Sequence, residues 1–438
     1  MNLFDITALL LTLAALFGYL NNRYLKLEPT VGLMLIALVS SGSLIVLDRL
    51  VPALHITVAV RQVLDGIDFY EALMHWMLGF LLFAGALHVD LDFFVRRKGA
   101  ITCLATIGLL ISMVLVGFLS KGLFGLLGLE ASLLACFLFG SLISPTDPIA
   151  VMGSLKSLKA PKPLAAMIGG ESLFNDGVAV VVFSGLVTML PAITGHGGAA
   201  GHETHAGEFS VGGLVLFFLR EAGGGVGLGL LAGYLAYRLM LSIDDYKVEV
   251  MISLALVMGC YSLALNLHVS GPIAVVCAGI LIGNRGRALA MSEEVGDYLE
   301  KFWELVDEIL NAVLFLLIGI EVLVVALQGK TVLAGAIIVV VVLLARFLSV
   351  SLPITVLRRG HRFSPGVIRI LTWGGLRGGI SVALVLSLPA IPEKPLLVTC
   401  TYLVVLFSIL VQGLTIKRVL SQFIASETET DSGGETDS

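Results

Sequence analysis

The sequence predicts an all-α, polytopic membrane protein with about 13 transmembrane helices. Of its 438 residues, 57% are hydrophobic and only 13% are charged, and the mean hydropathy is +1.00. A soluble domain of this size has to present more polar surface to water than that. Apolar stretches about as long as a bilayer is thick also follow one another along the whole chain. Because backbone inside a bilayer must satisfy its own hydrogen bonds, these stretches are expected to form a bundle of helices.

The apolar stretches define the predicted spans in chain order. The first has neither a basic start nor a small-residue cleavage site before it, so we expect it to be retained as a span. A polar break at residues 266–268, followed by Gly271 and Pro272, separates the eighth span from the ninth. The predicted spans are 4–20, 30–47, 70–88, 99–127, 131–153, 163–191, 211–241, 247–266, 269–284, 305–327, 331–357, 366–390 and 395–416.

Three segments are predicted to lie outside the bilayer. Residues 194–208 form an external loop, 285–304 an acidic amphipathic stretch on the cytoplasmic side, and 425–438 a short acidic disordered tail. Residues 1–424 are then one transmembrane domain. Most of the 27 Lys and Arg residues fall on one side if the C-terminus is cytoplasmic and the N-terminus is outside, so the positive-inside rule predicts this orientation in the cell (inner) membrane.

Few ionisable residues lie deep within the predicted spans. A charge at the centre of a bilayer costs about 2.5–3.5 kcal/mol even on the most lenient scale, so a charged residue there is expected to be paired or to line a pathway. Most of these residues fall in three motifs. They are Asp147, Glu171, Asp176, Glu321, Arg346 and Arg377.

The first two motifs carry ligands that suit an alkali cation. In Ser144–Pro148, two prolines three residues apart block a continuous helix and free main-chain carbonyls such as that of Thr146. In the next span, a polar helix face carries hydroxyl, carboxylate and amide oxygens and no soft ligand. That face consists of Glu171, Ser172, Asn175 and Asp176. The two motifs together predict a cation site on the fifth and sixth spans.

The third motif, residues 373–379, surrounds Arg377 with four glycines and predicts a second interrupted helix. Transporters built as two inverted repeats often interrupt helices at corresponding positions, and spans 1–6 and 8–13 would be such repeats. The interrupted fifth and twelfth spans are then equivalent and cross each other. Asp147 is predicted to compensate the positive helix N-termini at the crossing, and Arg377 the negative C-termini.

Structural interpretations compete with functional ones for several residues. Glu171 and Arg346 are predicted to form a structural ion pair. Glu321 either lines an access route or reaches the interface, and the histidines of loop 194–208 are expected to be solvated rather than to bind metal. A further acidic group is either a solvated helix face or an attractor of cations to the cytoplasmic mouth. It comprises Glu293, Glu294, Asp297, Glu300, Glu304, Asp307 and Glu308.

The three motifs also carry a family resemblance. Ser-Pro-Thr-Asp-Pro in one span, Gly-Gly-Glu-Ser-Leu-Phe-Asn-Asp in the next and Gly-Gly-Leu-Arg-Gly-Gly near the end resemble the signature of the sodium/proton exchangers of the monovalent cation:proton antiporter-1 family. The resemblance covers residues 1–424. It implies an antiporter that exchanges Na⁺ or Li⁺ for H⁺ and supports pH homeostasis, with no enzymatic activity and no cofactor beyond the transported ions.

The resemblance also implies roles for individual residues. Na⁺ would be held by Asp176, Ser172, Asp147 and the main chain of Thr146, and Glu171 would bridge to Arg346. Asn175 matches the residue typical of electroneutral members. A homodimer is implied as well, in which a core bundle moves against a dimerisation domain.

Three other functions are open to the same residues. A K⁺/H⁺ antiporter of the same family uses the same kinds of ligand. An intramembrane aspartyl protease would also pair two carboxylates, here Asp147 and Asp176, but its Gly-x-Gly-Asp element is missing from the sequence. A passive cation channel would favour repeated carbonyl rings, which the sequence does not indicate, and it would pass Na⁺ without moving protons.

Overall fold

The structure is a computed structural model of the full chain. It describes residues 3–51, 77–89, 91–158, 160, 162–190, 211–321, 329–358, 363 and 366–422. Within these ranges the chain is helical and contains no β-strand, apart from one isolated bridge between Asp147 and Leu376. The predicted all-α fold class is thereby confirmed.

The helices follow the predicted order along the chain. We label them α1 (Leu3–Leu20), α2 (Pro29–Leu50), α3 (Leu78–Leu87), α4 (Leu91–Cys103), α5 (Leu109–Leu126), α6 (Leu133–Ile143), α7 (Ile149–Ser157), α8 (Lys162–Val187), α9 (Val211–Met240), α10 (Tyr246–Asn266), α11 (Gly271–Leu281), α12 (Glu293–Glu321), α13 (Gly329–Leu357), α14 (Val367–Trp373), α15 (Gly379–Ser387) and α16 (Lys394–Phe407). A π-helical turn at Leu104–Gly108 joins α4 to α5, and another at Ser408–Gly413 continues α16.

Among the described residues, nine continuous helical runs are long and apolar enough to cross a membrane. Two shorter apolar helices, α3 and α6, accompany them. Part of the third predicted span lies outside the described residues, so the predicted count of about 13 spans stays a prediction. The chain is nevertheless a multi-pass membrane protein, because apolar helices follow one another from residue 5 to residue 422.

Two helices extend beyond the predicted spans. The fourth span is predicted at 99–127, and its helix begins earlier, at Leu91, and includes Arg97 and Lys98. Helix α12 runs without a break from Glu293 to Glu321, so it joins part of the acidic stretch 285–304 to the span predicted to start at residue 305. A helix need not end where its residues become polar, because Glu, Lys and Arg are good helix formers. Loop 194–208 and tail 425–438 lie outside the described residues.

Polar residues fix where several helices begin. The Ser132 hydroxyl accepts a hydrogen bond from the Ala135 amide at 3.2 Å and caps α6. Ser270 caps α11 in the same way, and Pro272 follows in the first turn. A side-chain oxygen at this position satisfies a helix amide that has no partner within the helix, and proline there loses no hydrogen bond.

Close packing of α9 on α11 depends on a glycine stripe at every fourth residue. A methyl group on Gly229 would lie 2.9 Å from the Cα of Ala274, and one on Gly233 would lie 3.1 Å from the Cα of Ala278. In a bilayer, where lipid is as apolar as leucine, such small residues let helix backbones approach and gain van der Waals contact.

Two interrupted helices cross at the centre of the bundle. The first is α6–α7, broken at residues 144–148, and the second is α14–α15, broken at residues 374–378. At the crossing, the Asp147 amide donates a hydrogen bond to the Leu376 carbonyl at 2.8 Å. This confirms the predicted interrupted, crossing helices, while the inverted-repeat relation of the two halves stays a prediction. The crossing brings the polar residues of both breaks together.

Candidate functional site: a buried carboxylate cluster at the helix crossing

The first break is clamped to α8 by one amide side chain. The Asn175 Oδ1 accepts a hydrogen bond from the Thr146 amide at 3.2 Å, and Asn175 Nδ2 donates to Thr146 Oγ1 at 2.8 Å. Asn175 and Thr146 are both 1% exposed. Prolines 145 and 148 keep this segment out of helix, so its amide needs a partner from elsewhere, and Asn175 supplies it.

Ser172 completes this contact between the break and α8. Its hydroxyl lies 2.9 Å from Thr146 Oγ1, and its side chain is buried. Asp176 follows on the same side of α8 and is also buried. Hydroxyl, amide and carboxylate oxygens therefore gather on one helix face opposite an unwound segment, and they are ligands of the type a hard cation prefers.

Asp147 brings a second carboxylate to this cluster. It is half-buried and lies against Gly378, the residue that precedes α15. A methyl group on Gly378 would lie 2.7 Å from the Asp147 Cγ, so only glycine leaves room for the carboxylate here. A carboxylate at a helix N-terminus is stabilised by the helix dipole. Asp147 and Asp176 are also close enough to act on each other electrostatically.

Arg377 lies at a helix C-terminus, whereas Asp147 lies at a helix N-terminus. Its Nη1 donates to the main-chain carbonyls of Ser144 and, at 2.7 Å, of Pro145, which follow the C-terminal end of α6. Its own amide donates to Ser408 Oγ at 2.8 Å. The guanidinium is buried, and it is held by carbonyls that the broken helix leaves without helical partners.

Glu171 and Arg346 are in direct contact. Arg346 donates through Nη1 to Glu171 Oε1 at 2.6 Å and through Nη2 to Oε2 at 3.0 Å, and its Nε donates to the Leu371 carbonyl at 3.2 Å. Both side chains are buried. A bidentate pair of this geometry is the strong form of the interaction, and it ties α8 and α13 to the end of α14. Neither residue lines the cavity described next.

A cavity of about 1140 Å³ leads from the carboxylates to one end of the bundle. Its inner wall includes Asp147, Asp176 and Thr146, and its outer wall includes the exposed Lys26 and Lys156. The lysines belong to the side predicted to be cytoplasmic. Water and ions therefore have a route from that end of the molecule to the carboxylate cluster.

The cavity wall also contains acidic residues near its mouth. Glu28 caps α2, where its carboxylate accepts hydrogen bonds from the Thr30 hydroxyl and from the Val31 amide at 3.3 Å. Burial raises the pKa of the Glu28 carboxyl above its ordinary value, although these hydrogen bonds act in the opposite direction. Asp307 and Asn311 of α12 line the same wall.

Sequence reasoning missed several of these residues. Asn311 is 2% exposed, but its amide is not ionisable, so the list of ionisable residues in the spans does not contain it. Ser408 and Gln412, in the π-helical turn that continues α16, support the second break, and Gln412 Nε2 donates to the Trp373 carbonyl at 2.9 Å. Polar side chains inside an apolar run were the available signal for all three. Glu321 ends α12, and its side chain lies outside what the structure describes.

Comparison with known proteins places this chain in a family. The family model described as "sodium/hydrogen exchanger, transmembrane" matches residues 11–422, which is nearly the whole chain. The chain belongs to the sodium/hydrogen exchanger family. The members of this family are transmembrane transporters.

Individual relatives support the same assignment. The Na⁺/H⁺ antiporter NhaP of Pseudomonas aeruginosa is 48% identical over 98% of this chain and 99% of its own length. The Na⁺/H⁺ antiporter NhaH of Halobacillus dabanensis is 34% identical over 83% of this chain and 86% of its own. Among solved structures, the sodium proton antiporter MjNhaP1 of Methanocaldococcus jannaschii matches with a TM-score of 0.73 at 19% identity, over 97% of this chain and 99% of that one. The structural match establishes the common fold.

Proposed function

We propose that this chain is a secondary-active antiporter that exchanges Na⁺, or Li⁺, for H⁺ at the Asp147–Asp176 cluster. One observation carries the proposal: a large cavity ends at two neighbouring carboxylates, beside the hydroxyl oxygens of Thr146 and Ser172. The names of its relatives, which are Na⁺/H⁺ antiporters, favour Na⁺ over K⁺.

The coupling mechanism follows from the burial of Asp176. A charged carboxylate in the interior is costly unless an ion or a proton neutralises it. Na⁺ bound to Asp176, with Ser172, Asp147 and the Thr146 carbonyl as further ligands, is one form in which the charge of Asp176 is neutralised, and protonated Asp176 is the other. If the helices carrying the site move across the membrane only when the charge of Asp176 is neutralised, each Na⁺ moved one way requires a proton moved the other way.

Neighbouring residues have supporting roles in this mechanism. Asn175 orients Thr146 so that the main chain of the break faces the ion. Arg377 stabilises the carbonyl end of α6, and Asp147 stabilises the amide end of α15, so the two breaks persist when the ion leaves. The Glu171–Arg346 pair is a structural contact outside the cavity, not an ion ligand.

The membrane arrangement is part of the proposal. We take residues 1–424 as one transmembrane exchanger domain in the cell membrane, with the N-terminus outside and the C-terminus cytoplasmic. The cavity then opens to the cytoplasm, and the structure corresponds to an inward-facing state. A homodimer is proposed on the basis of the family resemblance alone.

The exchange is tested in everted vesicles that contain a pH-sensitive dye. After respiration acidifies the lumen, addition of Na⁺ or Li⁺ is expected to dequench the dye, and K⁺ is not. Dequenching by K⁺ alone would make this chain a K⁺/H⁺ antiporter. Uptake of ²²Na⁺ without any proton movement would make it a channel, and both results would overturn the proposal.

The Asp176→Asn variant tests whether Asp176 is the group that binds Na⁺ and H⁺ in turn. The change removes the charge and the proton site while preserving the shape of the side chain, so exchange is expected to be lost while membrane insertion is retained. Asp297→Asn is the matched control, because Asp297 lies on the surface of α12 and pairs only loosely with Arg287, at 3.6 Å. Exchange by purified Asp176→Asn protein at the wild-type rate would contradict the mechanism.

A further inference from the structure

Glu249 is a buried glutamate that the proposed exchange mechanism does not use. It lies in the first turn of α10 and is 0% exposed. Neither oxygen of its carboxyl group has a hydrogen-bond partner among the described residues. It does not line the cavity that leads to the Asp147–Asp176 cluster. Buried polar groups are nearly always hydrogen-bonded, and buried charges are paired, so this carboxyl group requires a physical explanation.

Glu249 lies beside an aromatic contact between α10 and α12. Ser253, one helical turn further along α10, accepts a hydrogen bond from Trp303 Nε1 of α12 at 3.0 Å. Because residues four apart lie on the same helix face, Glu249 is on the side of α10 that packs against α12. Trp303 is fully buried and packs on Phe83 of α3, with ring centroids 4.7 Å apart. The Ser253 hydroxyl donates to the Val250 carbonyl at 2.8 Å, so its proton is already used.

Among the described residues, no positive side chain forms an ion pair with Glu249. Arg287, which follows α11, binds Glu300 at 2.6 Å and Asp297 at 3.6 Å. His88, which follows α3, lies 3.8 Å from Glu300. The other charged residues near this end of α10 and of the helices packed against it are exposed. They are Arg238, Lys247, Arg285, Glu293, Glu294 and Lys301.

Two negative residues precede Glu249 and act on it electrostatically. Asp245 caps α10 by accepting a hydrogen bond from the Lys247 amide at 2.9 Å, and Asp244 accepts one from the Ser292 hydroxyl at 2.8 Å. The helix dipole favours a negative charge in the first turn. This effect is smaller than the cost of burying a charge without a counter-ion, and the two aspartates oppose it. The uncharged form of Glu249 is therefore the form that fits this position.

We infer that Glu249 is a second proton-binding site, which holds its proton while α10 is packed against α12. A carboxyl group takes up a proton when burial leaves its charge without a partner. Loss of the proton places a charge next to the Ser253–Trp303 contact, so the packing of these two helices depends on the proton. Because Glu249 does not line the cavity, its proton is not the one exchanged at Asp176. The inference therefore goes beyond the proposed function and does not depend on it.

Infrared spectroscopy of purified full-length protein tests the site directly, because a carboxylic acid and a carboxylate absorb at different frequencies. Asp176→Asn protein is the starting point, since it lacks the proton-binding carboxyl group of the proposed mechanism. Adding Glu249→Gln is expected to remove the intensity of about one carboxylic acid per chain at neutral pH. Glu294→Gln is the control, because Glu294 is exposed in the first turn of α12, and it is expected to leave the acid band unchanged. An acid band that is the same with and without Glu249→Gln would overturn the inference.

A change of charge near Glu249 covers the case in which Glu249→Gln disturbs folding. Asp245→Asn removes one of the two negative charges, and asparagine also caps a helix, so α10 keeps its start. The acid band is expected to disappear about half a pH unit lower than in the Asp176→Asn protein, as for the loss of one nearby charge in water. A band that disappears at the same pH in both proteins would overturn the assignment of the acid to Glu249.

Thermal unfolding in detergent measures the consequence for packing. The folded protein holds a proton that the unfolded chain releases above about pH 4.3, the ordinary value for glutamate. The stability of the wild type is therefore expected to fall as the pH rises from there to the pH at which the acid band disappears. Glu249→Gln cannot ionise and is expected to lose less stability over this range, whereas Glu294→Gln follows the wild type. Equal losses in the wild type and in Glu249→Gln would overturn the dependence of packing on the proton.

The transport assay separates this inference from the proposed function. Glutamine has the shape of the neutral acid and no charge, so Glu249→Gln protein in proteoliposomes is expected to exchange Na⁺ for H⁺ at the wild-type rate at neutral pH. Loss of exchange in folded Glu249→Gln protein would overturn the separation of this proton site from the exchange at Asp176. Absence of exchange by the wild-type protein would instead contradict the proposed function.

Discussion

Single buried residues in this protein are stabilised by partners that are far away in the sequence. Arg346 finds Glu171, which lies 175 residues before it, and Asn175 finds Thr146 across the bundle. Each contact satisfies a group that would be costly to bury alone. A single substitution at one of these residues should therefore destabilise the protein by an amount that depends on the partner that stays buried without its contact.

The Glu171–Arg346 pair allows this expectation to be measured. Glu171→Gln or Arg346→Gln alone leaves one charge buried without its counter-ion and is expected to destabilise the protein by about 3–5 kcal/mol. The double variant removes both charges and should recover part of that loss. Thermal unfolding in detergent measures all three variants.

The control for this cycle is a surface ion pair. Arg287 and Asp297 are each at least half exposed, and neutralising Asp297 is expected to change stability by about 1 kcal/mol or less. Losses that simply add in the Glu171→Gln, Arg346→Gln double variant would contradict a direct energetic coupling between the two residues.

Gly378 provides a steric prediction at the same scale. Gly378→Ala introduces a methyl group 2.7 Å from the Asp147 Cγ, so the carboxylate has to move away from α15. Exchange is expected to fall at least about tenfold, because misplacement of a reacting or binding group by 1 Å commonly costs more than that. The initial rate of Na⁺-dependent dequenching measures the loss.

A glycine with open space around it serves as the control for Gly378. No atom lies within 4 Å of a methyl group added to Gly227 of α9. Gly227→Ala is expected to keep the wild-type rate and to gain slightly in helix stability. If Gly378→Ala also kept the wild-type rate, the position of Asp147 against α15 would have no part in ion binding.

At the scale of elements, the two broken helices depend on arginines that replace missing helical hydrogen bonds. Arg377 donates to carbonyls beyond α6, and Arg346 donates to the Leu371 carbonyl near the end of α14. A positive group at a helix C-terminus is favourable, and these two lie in the interior, where screening is weak. Ser408 and Gln412 of the last helix add further donors and acceptors at the second break.

Substitution of Arg377 tests this support. Arg377→Met removes the donors and leaves the Ser144 and Pro145 carbonyls buried without them, at a cost of about 1–3 kcal/mol for each unsatisfied group. Arg377→Lys keeps the charge with a different geometry and is expected to recover part of the loss. Thermal unfolding ranks the variants as wild type, then Lys, then Met, and equal stability of all three would contradict a capping role.

At the scale of the whole molecule, the charges at the site predict electroneutral exchange. Glu171 is compensated by Arg346, Asn175 does not titrate, and Asp147 lies at a helix N-terminus, so Asp176 is the group expected to exchange its proton for Na⁺. One Na⁺ then moves for one H⁺, and no net charge crosses the membrane. The membrane potential should have no influence on the rate, although it is worth about 2.3 kcal/mol per charge at 100 mV.

Proteoliposomes with a Na⁺ gradient provide the measurement. A K⁺ diffusion potential imposed with valinomycin should leave the exchange rate unchanged, and vesicles without valinomycin are the control. A rate that follows the imposed potential would require a second titrating group in the cycle, with Asp147 as the first candidate.

The sequence by itself determined the all-α membrane fold, the order of the apolar helices, the two interruptions and the kinds of residue that meet there. These features are local: hydropathy is a sum over neighbouring residues, and proline or glycine interrupts a helix wherever it occurs. Helix ends were less predictable, as α4 and α12 illustrate, because charged residues extend a helix beyond its apolar part.

Only the tertiary structure decided which polar groups meet. The pairing of Asp147 with the start of α15, the donation from Arg377 to the end of α6, and the contact of Glu171 with Arg346 all depend on helices brought together by packing. A hydropathy scale gives a polar residue in a span the same unfavourable value whichever way its side chain points. The direction of the side chain and the cavity it reaches are set by contacts between segments hundreds of residues apart, and no local pattern contains them.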